Sequence, residues 1–402
     1  MSAVASHPQV QAPIFTRDFL LTCFASVGIF AGMSFLMPVL PLYVVAVGGA
    51  RSDIGLIISA FAITSVVLRP FLGRLVDRRG AKGVLWAGLA VTAVASALYL
   101  VVPSVPLLVG LRALHGVGMG AATTAAWVLI ADYAPAARRG EAMGYFGMFL
   151  SGCFAIGPMV GIGLVEVGGF PALFAALTLA ALLALVVTVP LQERPKAPGH
   201  SARQPAPLVA RSALLPAVVF FCMASTFAPI GAFLPLLVEE RQLGTAAAGI
   251  FFSLQAMTIF ASRIVGGKTS DRYGRAIVVL PSLVIILVGM VVLAFAFSIP
   301  MLFLAAIIHG AGVGMVQPAL LALAVDRAPE HERGAAMATV TSAMDLGIGL
   351  MAVPLGMLLE ATDFTTTFLA AGSVTLMGLV VFSTAARRAG LLLRRTPRLP
   401  AA

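Results

Sequence analysis

Twelve apolar stretches, each about long enough to cross a lipid bilayer, follow one another along the chain with short polar connections. A spanning helix needs about 20 apolar residues, and a helix satisfies its own backbone hydrogen bonds in hydrocarbon. Hydropathy and chain-breaking residues place the spans near 19–47, 54–74, 84–102, 106–132, 141–166, 172–191, 213–238, 246–268, 277–297, 301–325, 334–359 and 366–386. The sequence therefore predicts an all-α membrane protein with twelve transmembrane helices.

Composition leaves little besides these spans. Only 10% of the 402 residues are charged, whereas soluble domains have about 25% charged residues. The three cysteines lie inside apolar stretches, without the spacing of a disulfide framework or a thiolate metal site. No HExxH motif and no Walker-type phosphate loop occurs. We therefore expect no enzyme, no metal and no cofactor.

Lysines and arginines concentrate in the connections on one side of the predicted membrane. If both termini are cytoplasmic, Arg51 and Arg241 are the two basic loop residues that fall on the opposite side. Cytoplasmic loops retain basic residues, so we expect a protein of the bacterial inner (plasma) membrane with both termini in the cytoplasm. This orientation explains the formal net charge of +10, and no nucleic-acid partner is predicted.

The second half of the chain repeats the first at a constant offset of 194 residues. Matched pairs include Arg17 with Arg211, Pro41 with Pro235, Arg69 with Arg263, Asp77 with Asp271, His115 with His309 and Glu166 with Glu360. The expected organisation is a cytoplasmic segment 1–18, a six-helix bundle 19–191, a proline-rich cytoplasmic linker 192–211, a second six-helix bundle 212–386 and a basic tail 387–402. An even number of spans gives both bundles one orientation and places a site between them at mid-membrane.

Four motifs within this repeat are specific. They are the loop 73–82 between spans two and three, its copy 267–275 between spans eight and nine, the stretch 111–120 around Arg112, and Gly157, Pro158 and Gly161 in span five. With these motifs the chain resembles transporters of the major facilitator superfamily, and within it the drug:proton antiporter branch. The resemblance implies two pseudo-symmetric six-helix bundles and alternating access to a central cavity. Span five departs from the exporter motif where Ile162 replaces its last glycine.

The loop motif implies a conformational latch at the cytoplasmic end of the bundles. In this interpretation Asp77 faces the N-terminus of a neighbouring helix, while Arg74 and Arg78 reach acidic groups such as Asp132 or Glu141. The predicted latch residues are Gly73, Arg74, Asp77, Arg78, Gly80, Asp132, Glu141, Gly267, Asp271 and Arg272. Alternatively, the arginines only anchor the topology.

Two charges in the middle of spans break the repeat: Arg112 corresponds to Ala306, and Asp345 corresponds to Ser151. A charge at this depth costs about 2.5–3.5 kcal/mol on insertion scales, so it usually marks a pathway or a partner. We expect Asp345 to bind and release the transported proton in competition with substrate, and Arg112 to modulate the proton or to bind an anionic group. The alternative is a buried Arg112–Asp345 pair or separate hydrogen bonds.

Other polar residues in the apolar stretches are weaker candidates. His115 and His309 are proton-coupling candidates, but each lies among glycines that favour close helix packing, where a hydrogen-bonded histidine is the alternative. Candidate cavity residues are Ser34, Thr123, Thr124, Trp127, Gln255, Thr258, Gln317, Thr341 and Ser342. Serine and threonine in membrane helices often bond to their own backbone, so many of these side chains have a structural alternative.

The predicted function is secondary active transport: proton-coupled efflux of a small organic molecule, amphipathic or cationic, by alternating access. The expected partners are this substrate, protons and the lipid bilayer, and the expected assembly is a monomer. Two alternatives retain the fold: uptake by symport or facilitated diffusion, and export of a metal-chelating or other secondary metabolite. A receptor or scaffold without transport is a third alternative, because fold alone does not establish function.

Overall fold

The structure, a computed structural model, describes residues 13–102, 104–135, 139–192, 209–244, 246–329 and 332–388. The description excludes the side chains of Ala31, Pro70, Asp77, Arg139, Glu141, Ser151 and Arg333. Regular structure in these ranges is entirely helical. Most of the predicted N-terminal segment, linker and basic tail lies outside the described residues.

Twelve helices make up the described chain. They are α1 (Arg17–Ala46), α2 (Arg51–Arg79), α3 (Ala81–Leu98), α4 (Val105–Tyr133), α5 (Arg139–Thr188), α6 (Leu214–Ala224), α7 (Phe227–Glu240), α8 (Ala246–Tyr273), α9 (Arg275–Ala294), α10 (Ile299–Arg327), α11 (Arg333–Ala361) and α12 (Phe364–Arg388). Eleven apolar segments among the described residues are long enough to cross a membrane.

Two irregular places in the helices explain how these segments correspond to the twelve predicted spans. Helix α5 has 50 residues, which is too long for one crossing of a hydrocarbon layer about 30 Å thick. It breaks at Gly168 and at Gly169, where φ of +70° requires glycine, so it supplies spans five and six. Helices α6 and α7 form a single span that is interrupted at Ser225 and Thr226. The predicted fold class, an all-α protein with twelve spans, is confirmed.

The repeated glycines are explained by helix packing. A Cβ atom added at Gly116 in α4 would lie 2.6 Å from the backbone oxygen of Phe61 in α2. At the equivalent place in the second half, a Cβ at Gly310 in α10 would lie 2.8 Å from the backbone oxygen of Gln255 in α8. The same helix pairs therefore approach closely in both halves, and these glycines recur because a side chain would separate the helices.

The two halves meet mainly through the helix pairs α1 with α7, α2 with α11, and α5 with α8, and less extensively through α2 with α7. Among the described residues, three polar contacts join the halves, and all involve α2: Arg51 with Glu240, Ser59 with Gly349, and Arg69 with Asp345. They lie between the beginning of α2 and its third quarter. The described polar contacts thus join the halves from the beginning of α2 as far as Arg69.

Candidate functional site

The innermost contact between the halves is an ion pair between α2 and α11. The Nη2 atom of Arg69 lies 2.8 Å from Oδ2 of Asp345, and the two side chains are 34% and 23% exposed. Asp345 Oδ2 itself is buried and has no partner with hydrogen-bond geometry, so the contact is an ion pair of imperfect alignment. One turn beyond Asp345, the backbone oxygen of Gly349 accepts a hydrogen bond from Ser59 Oγ. A carboxylate therefore joins the two halves at the described polar contact that lies furthest along α2 from Arg51.

This pairing corrects one alternative from the sequence, because the partner of Asp345 is Arg69 and not Arg112. Sequence reasoning missed Arg69 as a site residue, since it recurs as Arg263 in the second half and repeated residues were expected to serve folding. The available signal was its depth: Arg69 is a charge inside an apolar span, and such charges seek partners.

Arg112 is packed inside the first half. The residue is 6% exposed, and its guanidinium carbon lies 4.3 Å from the centre of the Phe61 ring, a cation–π geometry. Its buried Nε has no hydrogen-bond partner among the described residues. Arg112 is therefore a desolvated cation beside an aromatic ring, and its predicted role in proton coupling stays a prediction.

The two central histidines occupy equivalent places but differ in their partners. His309 is fully buried, with Nε2 2.9 Å from Thr226 Oγ1 and Nδ1 3.0 Å from Gln255 Nε2. His115 has an edge contact with Phe61 and a long contact of 3.5 Å from Nδ1 to the Tyr99 hydroxyl. Both ring nitrogens of His309 are thus used in local hydrogen bonds. This geometry favours the structural alternative for His309.

Arg263, the repeat counterpart of Arg69, has a neutral partner. Its Nη2 lies 2.5 Å from Oε1 of Gln317 in α10, and Nε2 of Gln317 lies 3.7 Å from Sδ of Met344 in α11. Met344 directly precedes Asp345, so the two arginines lie at a similar depth. Gln317, predicted to line the cavity, is half-buried and connects three helices of the second half.

The other predicted cavity residues divide into two groups. The hydroxyls of four threonines donate to carbonyls one turn earlier in their own helices, as expected for membrane helices: Thr123, Thr124, Thr258 and Thr341. Ser34 is buried and Gln255 is engaged with His309. Trp127 is 38% exposed and packs its edge on Phe146, and Ser342 is half-buried. Their contact with a substrate stays a prediction.

In the second half, one arginine contacts two acidic side chains near the loop motif, and the role of these contacts as a latch stays a prediction. Arg275 Nη1 lies 2.5 Å from Asp271 Oδ1, and Arg275 Nε lies 2.9 Å from Asp326 Oδ2. Arg275 thus joins the loop motif to the end of α10, while Arg272 lies over the Tyr273 ring. Sequence reasoning missed Arg275 as the bridging residue because its counterpart in the first half is Ala81.

In the first half the latch is described less completely. Arg74 and Arg78 are exposed, and Asp132 has a polar or charged partner. The side chains of Asp77 and Glu141 lie outside the described part, so their predicted contacts remain predictions. Lys82 Nζ donates to the backbone oxygens of Leu191 at 2.7 Å and Val189 at 3.1 Å.

The exporter-like motif of span five packs against α1. A Cβ at Gly157 would overlap the Ser34 side chain, and a Cβ at Gly161 would overlap the backbone of Phe35. Both glycines therefore allow α1 and α5 to touch, and Pro158 between them is buried. This contact accounts for the glycines by packing alone, and their link to export stays a prediction.

Comparisons with known proteins agree with this architecture. A family model described as Major Facilitator Superfamily matches residues 22–276 and 217–398. The chain is 31% identical over 169 residues to the quinolone resistance protein NorA of Staphylococcus aureus (strain MRSA252), and this match covers 42% of the chain and 43% of NorA. The matched stretch is thus less than half of that relative's length.

Two solved structures are similar over nearly the whole chain. A bacterial homologue of the human lysosomal transporter Spinster, inward-facing and unoccupied, gives a TM-score of 0.78 at 13% identity and covers 96% of this chain and 99% of that one. A D-xylose–proton symporter gives a TM-score of 0.73 at 17% identity, covering 91% and 96%. At these identities the likeness shows the fold. With the family match it establishes a multi-pass membrane transporter and not an enzyme: the chain belongs to the major facilitator superfamily.

Proposed function

We propose that this chain exports a small amphipathic organic molecule in exchange for protons, and that the Arg69–Asp345 pair couples the two movements. The observation that carries the proposal is the position of this pair, which joins α2 of one half to α11 of the other. A carboxylate that bridges the halves changes the strength of the bridge when it takes up a proton. The proton thereby acts on the same interface that alternating access must open and close.

The coupling follows from the charges around Asp345. When the carboxylate is ionised, Arg69 of α2 attracts it and holds the halves together at mid-membrane. When it is protonated, the ionic attraction is lost and a partly buried guanidinium remains without its counter-charge, which destabilises this closed arrangement. Met344, next to Asp345 in α11, contacts Gln317 of α10, and both of these side chains are neutral. Among the described residues, Arg69 therefore supplies the charge that faces Asp345.

The direction of transport is supported by the partial likeness to NorA, whose name describes it as a quinolone resistance protein, and by the exporter-like glycines of α5. Uptake by proton symport is the second candidate. It is supported by the fold shared with a D-xylose–proton symporter and by Ile162 at the end of the exporter motif. Export of a metal-chelating or other secondary metabolite would use the same cleft.

We further propose that the protein is a monomer in the bacterial plasma membrane, with both termini in the cytoplasm. The support is the distribution of arginine and lysine, which favours this orientation. In this orientation Gly80, at the end of α2, faces the cytoplasm, and Arg51, at its beginning, faces the opposite side.

The test is proton movement in vesicles that contain the purified protein and a pH-sensitive dye. We expect addition of a transported molecule to change the internal pH in wild type, and Asp345→Asn to abolish this change because the amide cannot carry a proton. The matched control is Asp363→Asn, which removes an exposed carboxylate at the start of α12. Substrate and proton moving in the same direction would replace antiport by symport. Unchanged proton movement in Asp345→Asn would contradict the coupling role.

A further inference from the structure

The charges in the middle of the spans do not balance. Among the described residues, three arginines lie at depth in apolar helices: Arg69, Arg112 and Arg263. One carboxylate, Asp345, lies there with them, and it is paired with Arg69. An uncompensated charge inside a membrane protein is costly and commonly marks a ligand or ion pathway. The excess of positive charge therefore points to a negatively charged ligand.

Arg263 is the arginine best placed to meet such a ligand. It is half-buried, whereas Arg112 is 6% exposed and lies against the Phe61 ring. Its partner, Gln317 Oε1 at 2.5 Å, is a neutral amide, and none of the ion pairs among the described residues includes Arg263. A hydrogen bond from the guanidinium to an amide oxygen orients the guanidinium but leaves its charge uncompensated. Arg263 is thus positioned but not neutralised.

The repeat shows that this difference is specific. Arg263 and Arg69 are equivalent positions in the two halves, and Asp345, the partner of Arg69, has Ser151 as its counterpart in the sequence. One arginine of the symmetric pair therefore has an acid at the expected position and the other has none. If both arginines served only the packing of the halves, the same partner would suit both.

We propose that the transported molecule carries an anionic group, a carboxylate or a sulfonate, and that Arg263 binds it with help from Gln317. A guanidinium can offer a carboxylate two parallel N–H donors, and the amide of Gln317 can donate as well. Phe260, one turn before Arg263 in α8, is 39% exposed and offers an apolar surface for the body of the molecule. An amphipathic anion therefore fits this place, and the cationic substrate expected from the sequence does not.

This inference rests on the proposed transport function, but it holds for either direction of transport. It is tested by equilibrium binding to the purified protein in lipid nanodiscs, without any gradient. The probes are matched series of ring compounds that differ only in one group: a carboxylate, its neutral primary amide, and a trimethylammonium. We expect wild type to bind the carboxylates about tenfold or more tightly than the amides, as for a charge-assisted contact, and to bind the cations most weakly.

Two variants assign the preference to this site. Arg263→Gln is expected to remove the difference between carboxylate and amide. Gln317→Glu, which keeps the side-chain shape but gives Arg263 a counter-charge, is expected to lower carboxylate affinity about tenfold and to lower amide affinity less, so that the preference for carboxylate shrinks. Arg387→Gln, the same change of charge at the exposed end of α12, is the control and should keep the preference. If Arg263→Gln fails to fold, Gln317→Glu provides the test on its own.

Three results would overturn the inference. Wild type could bind amides or cations as tightly as carboxylates, or it could bind no carboxylate at millimolar concentration. The third result is a carboxylate preference that survives both variants. Failure of the proposed function has a different signature. If wild type moves no protons with its substrate in vesicles but still prefers carboxylates in nanodiscs, proton-driven export is contradicted and the anion site stands.

Discussion

His309 and Asp345 differ in the hydrogen-bond partners of their side chains. His309 uses both ring nitrogens in contacts with Thr226 and Gln255, whereas Asp345 Oδ2 has an ion pair but no aligned hydrogen bond. Removing the His309 ring would leave the Thr226 and Gln255 groups unpaired. These contacts favour a structural role for His309 and are compatible with the proposed coupling role of Asp345.

This assignment predicts opposite results for two substitutions. His309→Ala removes a fully buried side chain and leaves the Thr226 and Gln255 groups unpaired, which should cost about 2–4 kcal/mol and lower the thermal unfolding temperature in detergent. The pH dependence of transport by the folded fraction should not change. Asp345→Asn should abolish the pH dependence of transport because the amide cannot carry a proton. A shifted pH profile in His309→Ala would return this histidine to the coupling mechanism.

Glycine determines how closely the helices approach, and α4 contains a matched pair of positions. A Cβ at Gly116 would collide with the backbone of Phe61 in α2, while a Cβ at Gly110 would meet nothing within 4 Å. We expect Gly116→Ala to destabilise the protein by about 1–3 kcal/mol, and Gly110→Ala to stabilise it by up to about 1 kcal/mol because alanine favours helix. Thermal unfolding of both variants measures the difference, and equal effects would contradict the packing account.

The elements also show what hydropathy can and cannot predict. Length and apolarity predicted the spans, and the break at Gly168 and Gly169 falls between predicted spans five and six. The partner of Asp345 could not be predicted in this way, because a contact between α2 and α11 depends on how two halves dock, and the repeat aligns the halves without docking them. The same limit hid Arg275, which bridges Asp271 and Asp326 across separate helices.

At the scale of the whole molecule, the described conformation is one of the two that alternating access requires. The halves are joined by contacts from Arg51–Glu240 to Arg69–Asp345, so an exchange of conformations would have to break these contacts. If Asp345 couples the proton as proposed, a proton there weakens the ionic attraction to Arg69 that joins the halves. The repeat predicted two similar halves, but only the docked structure places the acid between them.

The most direct measurement compares two modes of transport by Asp345→Asn in vesicles. In exchange, labelled substrate on one side trades with unlabelled substrate on the other and no net proton movement is needed; in accumulation, a pH gradient must drive substrate uphill. We predict that Asp345→Asn retains exchange, because alternating access remains, and loses accumulation, because the proton has no carrier. Accumulation at the wild-type level in this variant would contradict the central claim that Asp345 couples the proton to transport.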